Sequence, residues 1–185
     1  MGLNLLWLVP MLPLLGAIVN GVGAGRIPRK VVSAIGVGSV GLAFLIALGC
    51  FHDLVAMDPE ARRFTQGLFT WIESGDFQAH VRFALDPLGT VMMLVVTGVG
   101  FLIHVYSTGY MGHEKAYGRY FAYLNLFTFS MLTLVLADNF VLMFLGWELV
   151  GLCSYLLIGF WYQRPAAAEA GKKAFVVNRI GDWGF

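Results

Sequence analysis

The sequence predicts an all-α polytopic membrane protein of about six transmembrane helices, the last truncated, with a β-hairpin in one long extracytoplasmic loop. Three observations predict it. Hydrophobic residues make up 58% of the chain and charged residues only 12%, against about 25% charged in an ordinary soluble domain. Five stretches reach the roughly 20 apolar residues that a helix needs to cross the hydrocarbon core. A single long interruption between them alternates apolar with polar residues, the period of a half-buried strand.

The first span covers Leu3–Ala24. It has no basic leading region and no small-residue cleavage site, so it reads as a mature helix and not as a signal peptide. The start Met-Gly-Leu-Asn-Leu-Leu also lacks the Ser or Thr of a myristoylation signal. The second span is Val31–Phe51, the third Leu88–Ser107, the fourth Tyr117–Ala137 and the fifth Phe140–Tyr162; a sixth begins near Lys173 and is cut off at Phe185. This divides the chain into residues 1–52, with two spans, a loop over 53–86, and residues 87–185, with the remaining spans. Gly21 to Gly25 reads GxxxG, a spacing that permits close helix packing. Asp86 before Pro87 is expected to cap the third helix, and Asn139 the fifth.

The connections set the orientation. Residues 25–30 carry Arg26, Arg29 and Lys30; residues 109–116 carry His113 and Lys115, with Arg119 just beyond; residues 163–173 carry Arg164, Lys172 and Lys173. These three fall on one side. The other side receives the N-terminus, the 53–86 loop and the Asp138-Asn139 turn. That loop holds Arg62, Arg63 and Arg82, diluted by five acids before Asp86. Basic residues in short loops face the cytoplasm, which puts the N-terminus outside. The 53–86 loop exceeds an ordinary turn. In it Phe69 and Trp71 face one way, and Phe77, Ala79, Val81 and Phe83 alternate with Gln78, His80 and Arg82 around Ser74-Gly75-Asp76. That is a hairpin signal. It serves either as a lid over helix ends or as a docking surface for a neighbouring subunit.

A net charge of +1 gives no electrostatic case for nucleic acid. Cys50 and Cys153 lie in separate apolar runs with no CxxC pair, so no zinc or iron–sulfur site is indicated and buried free thiols are the better reading. No two histidines stand at metal-ligand spacing, and His52, His80 and His113 fall in loops or at span ends.

Ionisable residues inside spans carry the chemistry. A charge at the centre of a membrane helix costs roughly 2.5–3.5 kcal/mol even on the mildest scale, so such residues are functional candidates. Glu148 lies in Phe144-Leu145-Gly146-Trp147-Glu148-Leu149-Val150-Gly151, far from either end of its span. A carboxyl balanced between desolvation and a nearby cation can take up and release protons. The plainer reading is a structural ion pair locking two helices. Arg179 and Asp182, three apart, share a helix face and stand within pairing distance. They either form a charged chain that tunes Glu148 or neutralise each other. Lys173, nearer the basic end, can snorkel. His104, near the basic end of the third span, is more often a packed, hydrogen-bonded residue than a relay, though imidazole titrates near physiological pH. The aromatics Phe160, Trp161 and Tyr162 read as an interfacial belt.

Three segments together resemble one family: Ile103-His104-Val105-Tyr106-Ser107-Thr108-Gly109-Tyr110-Met111, the run from Gly146 to Trp161, and Lys173-Ala174-Phe175-Val176-Val177-Asn178-Arg179-Ile180-Gly181-Asp182. They resemble the L-type antiporter-like subunit of NADH:quinone oxidoreductase, respiratory complex I, which is related to the large subunit of multisubunit cation/proton antiporters. The third segment favours the complex I branch. The resemblance implies a subunit that moves protons while NADH oxidation and quinone reduction occur elsewhere. Glu148 would pair with a lysine on a later, broken helix, and Arg179 and Asp182 match further family charges. The resemblance places NADH, flavin, iron–sulfur clusters and quinone in partner subunits and none in this chain. The partners it implies are the lipid bilayer and other membrane and peripheral subunits, among them another antiporter-like subunit, in a bacterial inner membrane or an organellar energy-transducing membrane. Family members are several times longer and carry a lateral helix. The expectation is therefore a fragment, a truncated product or half of a split subunit, without a complete proton path. A sodium/proton antiporter subunit and a structural remnant are the alternatives.

Overall fold

A computed structural model describes residues 2–184. A short 3-10 turn at Leu3–Leu5 leads into α1 (Leu8–Val22), followed by α2 (Arg29–Val55), β1 (Phe64–Ser74), β2 (Phe77–Leu85), α3 (Pro87–Tyr110), α4 (Tyr117–Leu136), α5 (Phe140–Ile158) and α6 (Pro165–Asp182). Among the described residues, five segments are long and apolar enough to cross a membrane: Leu3–Val22 and helices α2 to α5. The helices α4, α1, α2 and α3 pack on one another, α5 packs on α4, and α6 packs on α5.

Lipid tails are as apolar as leucine, so helices in a bilayer associate through close packing and hydrogen bonds, not through hydrophobic exclusion. Small residues occupy the tight crossings here. A β-carbon on Gly16 of α1 would stand 2.6 Å from Ser39 Oγ of α2 and 3.0 Å from Asn125 Nδ2 of α4. One on Gly146 of α5 would stand 2.6 Å from the backbone nitrogen of Leu134 in α4. Buried polar groups hold the same crossings. Asn125 Nδ2 donates to Ser39 Oγ at 2.9 Å and to the Gly36 carbonyl at 3.2 Å, and Asn20 Nδ2 donates to the Val32 carbonyl at 3.3 Å. Two apolar clusters flank this polar middle. The larger, at the hairpin end, joins Leu6, Val9, Ala47, Leu54, Phe83, Leu85, Leu132 and Leu142; the smaller, at the basic end, joins Val32, Met111, Tyr117, Phe121 and Phe160.

Both expected caps are present. The Asp86 carboxylate accepts from the Gly89 N–H at 2.6 Å, and Asn139 Oδ1 accepts from the Leu142 N–H at 2.9 Å. Cys50 and Cys153 are buried free thiols.

Three expectations are corrected. The sixth helix begins at Pro165, eight residues before Lys173, and the fifth ends at Ile158, not Tyr162. Hydropathy is blind to the opening of α6, which is polar. Proline at its first position lacks the N–H that would be unpaired there anyway, and the following alanines are the strongest helix formers. Gly159 to Arg164 form the intervening turn. The Gly21–Gly25 spacing packs through its first glycine only: a β-carbon on Gly21 would stand 3.7 Å from Ala122 of α4, but α1 ends at Val22, and a β-carbon on Gly25, which has φ 78°, would meet nothing within 4 Å. Gly25 serves the turn, since left-handed φ is strained for any residue with a β-carbon.

The hairpin is antiparallel and closes through Gly75-Asp76, with Gly75 at φ 58° and irregularities between Gly67 and Phe69 and between Thr70 and Ile72. Alternation in β2 buries Ala79, Phe83 and Leu85 against the helix ends, but Phe69, Trp71 and Phe77 are exposed.

Candidate functional site

Glu148 lies midway along α5, where a helix interior supplies no spare backbone donor to a carboxylate, so its partner must come from another element. Two glycines on α5 make that possible. Gly146 lets α4 approach the helix directly behind the site. Gly151, one turn on, faces α6: a β-carbon there would stand 3.0 Å from Arg179 Nη2 and 3.5 Å from Asn178 Nδ2. The open space is filled by the Arg179 side chain, which reaches across and pairs with the Glu148 carboxylate through Nη1. Its Nη2 also lies 3.4 Å from the Glu148 carbonyl.

Arg179 has a second anionic neighbour. Its Nε lies 3.1 Å from Asp182 Oδ2, one turn along α6, an ion contact in which the N–H is not aimed at the oxygen. The other oxygen, Oδ1, accepts from Trp147 Nε1 at 2.7 Å. The guanidinium sits 5.0 Å from the Phe175 ring centroid, and a cation over an aromatic face is electrostatically favoured. The side chains of Glu148, Arg179 and Asp182 are 22%, 32% and 7% exposed. One guanidinium is thus shared by two carboxylates, so the fully ionised cluster carries a net charge of −1 between α5 and α6.

Of the four expected site residues, Glu148, Arg179 and Asp182 come together and His104 stands apart. His104 is buried in α3, its Nδ1 lies 2.7 Å from the Gly100 carbonyl, and its ring meets Phe121 of α4 edge-on at 6.1 Å. Its buried Nε2 has no hydrogen-bond partner among the described residues, and the residue lines an apolar cleft of about 220 Å³ between α3 and α4. Lys173 is exposed at the basic end. Trp147, Gly151 and Asn178 were not singled out from sequence. Nothing in an apolar run marks which indole will find an acceptor 35 residues away.

The fold and the site define a class: polytopic helical membrane proteins with a carboxylate paired to an arginine across two adjacent helices. Residues 71–121 match the family model described as NADH-ubiquinone oxidoreductase (complex I), chain 5 N-terminus, and residues 137–185 match that described as NADH:quinone oxidoreductase/Mrp antiporter, transmembrane. The chain is 50% identical over 180 residues to NADH-quinone oxidoreductase subunit L of Escherichia coli, covering 97% of this chain and 29% of that protein. It is 46% identical over 184 residues to subunit L of Mycobacterium tuberculosis, covering 100% of this chain and 29% of that one. In structure it is similar to a chain of the Mrp complex from Dietzia sp., with a TM-score of 0.75 at 26% identity, covering 96% of this chain and 18% of that one. A likeness in fold alone links it to a chain of an archaeal membrane-bound sulfane sulfur reductase, TM-score 0.77 at 19% identity, covering 96% of this chain and 34% of that one. The chain belongs to the L-type antiporter-like subunits of complex I and matches their N-terminal part. It spans 29% of the length of these curated relatives.

Proposed function

We propose that this chain is the N-terminal part of a proton-translocating membrane subunit of NADH:quinone oxidoreductase, with Glu148 as the group that takes up and releases the proton. The supporting observation is the single Arg179 guanidinium between Glu148 and Asp182. An unbalanced negative charge in a membrane interior is costly. It is relieved by a proton on a carboxylate or by a second cation brought close. A group whose charge is only partly compensated can change protonation when that cation moves, which is what coupling to a distant reaction requires. Arg179 and Asp182 tune Glu148 in this reading, and Trp147 orients Asp182. Residues 87–185 then begin the translocating domain, following the first two helices and the hairpin loop. Electron transfer, with NADH, flavin, iron–sulfur clusters and quinone, belongs to partner subunits.

The orientation follows from charge. The connections after α1, α3 and α5 gather at one end and are short and basic, whereas at the other end Arg62, Arg63 and Arg82 are spread over the long loop between α2 and α3. By the charge rule for short loops, the basic end faces the cytoplasm and the N-terminus lies outside.

The test is Glu148→Gln in the assembled complex, which keeps the shape and removes the titratable proton. Redox-driven proton uptake into vesicles should be lost or strongly reduced while assembly is retained. Unchanged pumping with normal assembly would leave only a structural role. Likeness to the Mrp complex favours one second reading, a sodium/proton antiporter subunit. A transport rate that follows the sodium gradient and ignores quinone reduction would select it.

A further inference from the structure

The nitrogens of Arg179 lie against oxygens: Nη1 against the Glu148 carboxylate, Nη2 against the Glu148 carbonyl and Nε beside Asp182 Oδ2. Its guanidinium carbon stands over the Phe175 ring, one turn back along α6. That ring is held from the other helix. It meets the Tyr155 ring of α5 at 5.5 Å between centroids, tilted by 58°. Glycines bring α5 and α6 together on both sides of this contact. A β-carbon on Gly171 would stand 3.3 Å from the Gly159 backbone and 3.5 Å from the Tyr155 carbonyl, and one on Gly151 would stand 3.0 Å from Arg179 Nη2. Gly171, Phe175 and Arg179 share one stripe of α6, and Glu148, Gly151 and Tyr155 share one stripe of α5, with Gly159 at its end. Phe175 is half-buried where these stripes meet.

We propose that Phe175 is a positioning residue for proton transfer: its ring face holds the Arg179 guanidinium between Glu148 and Asp182. This rests on Glu148 as the group that takes up and releases the proton. The face of an aromatic ring carries the negative part of its quadrupole and attracts a cation. It does so without a net charge and without accepting a hydrogen bond in the plane of the guanidinium. A third carboxylate in that place would deepen the negative charge of the cluster and compete for the N–H groups. A leucine would fill the space without the attraction. The pull of the ring needs no N–H aimed at an acceptor, so the guanidinium keeps it while its N–H groups turn from one carboxylate toward the other. Partial burial strengthens the contact, because less water competes for the cation.

The experiment replaces Phe175, in the assembled complex that contains this chain, by phenylalanines carrying one, two and three ring fluorines. Each fluorine draws charge from the ring face and leaves the ring close to its original size, so the fold is kept while the attraction falls. Proton uptake per NADH oxidised should decline stepwise along the series, to about two- to fivefold below wild type at the third fluorine. Phe175→Tyr, which keeps the ring face, should retain pumping, and Phe175→Leu, which keeps only apolar bulk, should fall with the trifluorinated form. A flat fluorine series would overturn the proposal, as would a Phe175→Tyr variant as impaired as Phe175→Leu. Glu148→Gln, measured alongside, separates the two readings. Normal pumping in Glu148→Gln removes the assignment of Glu148 and this inference with it; lost pumping there with a flat fluorine series removes the role of Phe175 alone.

Discussion

Arg179 holds two carboxylates, one on its own helix and one on the next, and removing it leaves both without their cation. Breaking a well-buried pair from one side costs about 3–5 kcal/mol. These side chains keep partial exposure, so about 1–3 kcal/mol is the expected loss for Arg179→Gln. Adding Glu148→Gln to that variant removes one stranded charge and should restore part of the stability. The measurement is a double-mutant cycle on thermal melting of the assembled complex, with a coupling of about 1 kcal/mol or more expected. Strict additivity would mean the pair contributes nothing to holding α5 and α6 together. Sequence made the acid visible because a charge in an apolar run needs a reason, and the i,i+3 spacing made Arg179 and Asp182 visible as a pair. It left open whether they neutralise each other. The answer depends on which face α6 turns to α5, and that is decided by the absence of a side chain at Gly151. His104 shows the opposite limit: nothing in the sequence around a lone imidazole in a span says which carbonyl it will meet, here that of Gly100 a turn behind it.

Helices in this bundle are positioned by what is missing from their surfaces as much as by what is present. Gly146→Ala would drive a methyl into the backbone of Leu134, which cannot rotate away as a side-chain end could. Overpacking of this kind costs about 1–3 kcal/mol. The α4–α5 crossing should open, with a lower melting temperature and faster amide exchange in both helices; a neutral variant would mean that the crossing is looser than described. Asn139 joins two elements, capping α5 and donating through Nδ2 to the His80 carbonyl of β2 at 2.8 Å. Asn139→Ala should cost about 1–2 kcal/mol, and Asn139→Asp, which keeps the cap acceptor but not the donor, should lose less. Span count and caps were legible because length, apolarity and Asp-Pro or Asn entry are local properties. The start of α6 was not, because an alanine-rich polar turn has no hydropathy signal. Neither was the mismatch between GxxxG and a helix already ended at Val22, since that depends on where the chain turns.

Taken as a whole, the chain is stapled at both ends by polar contacts between connections that sequence could only assign to the same side. At the hairpin end, Asp138 pairs with Arg63 and Arg82, Gln66 Nε2 donates to the Asn4 carbonyl at 2.9 Å, and Gly2 N–H donates to Asp53 at 2.6 Å. At the basic end, Arg29 donates to the Gly112 and Glu114 carbonyls, and Glu114 receives the Trp161 indole, so the connections after α1, α3 and α5 are joined in one network. Alternation of spans gave the grouping, but no pattern gives the partners. This network has a pH signature, because the Trp161 indole first, and then the Ala116 and Lys115 N–H groups, hold the Glu114 carboxyl below its ordinary value. The unfolded chain, titrating near about 4.3, binds more protons than the folded one through the interval below that value. The contribution of Glu114 is therefore complete above the ordinary glutamate range and is lost as pH falls through the lowered folded value. Trp161 reports it directly: the fluorescence difference between wild type and Trp161→Phe should shift with an acid midpoint below that of a free glutamate. In Glu114→Gln the same transition should vanish. A midpoint at or above the ordinary value would show that the indole does not stabilise the carboxylate.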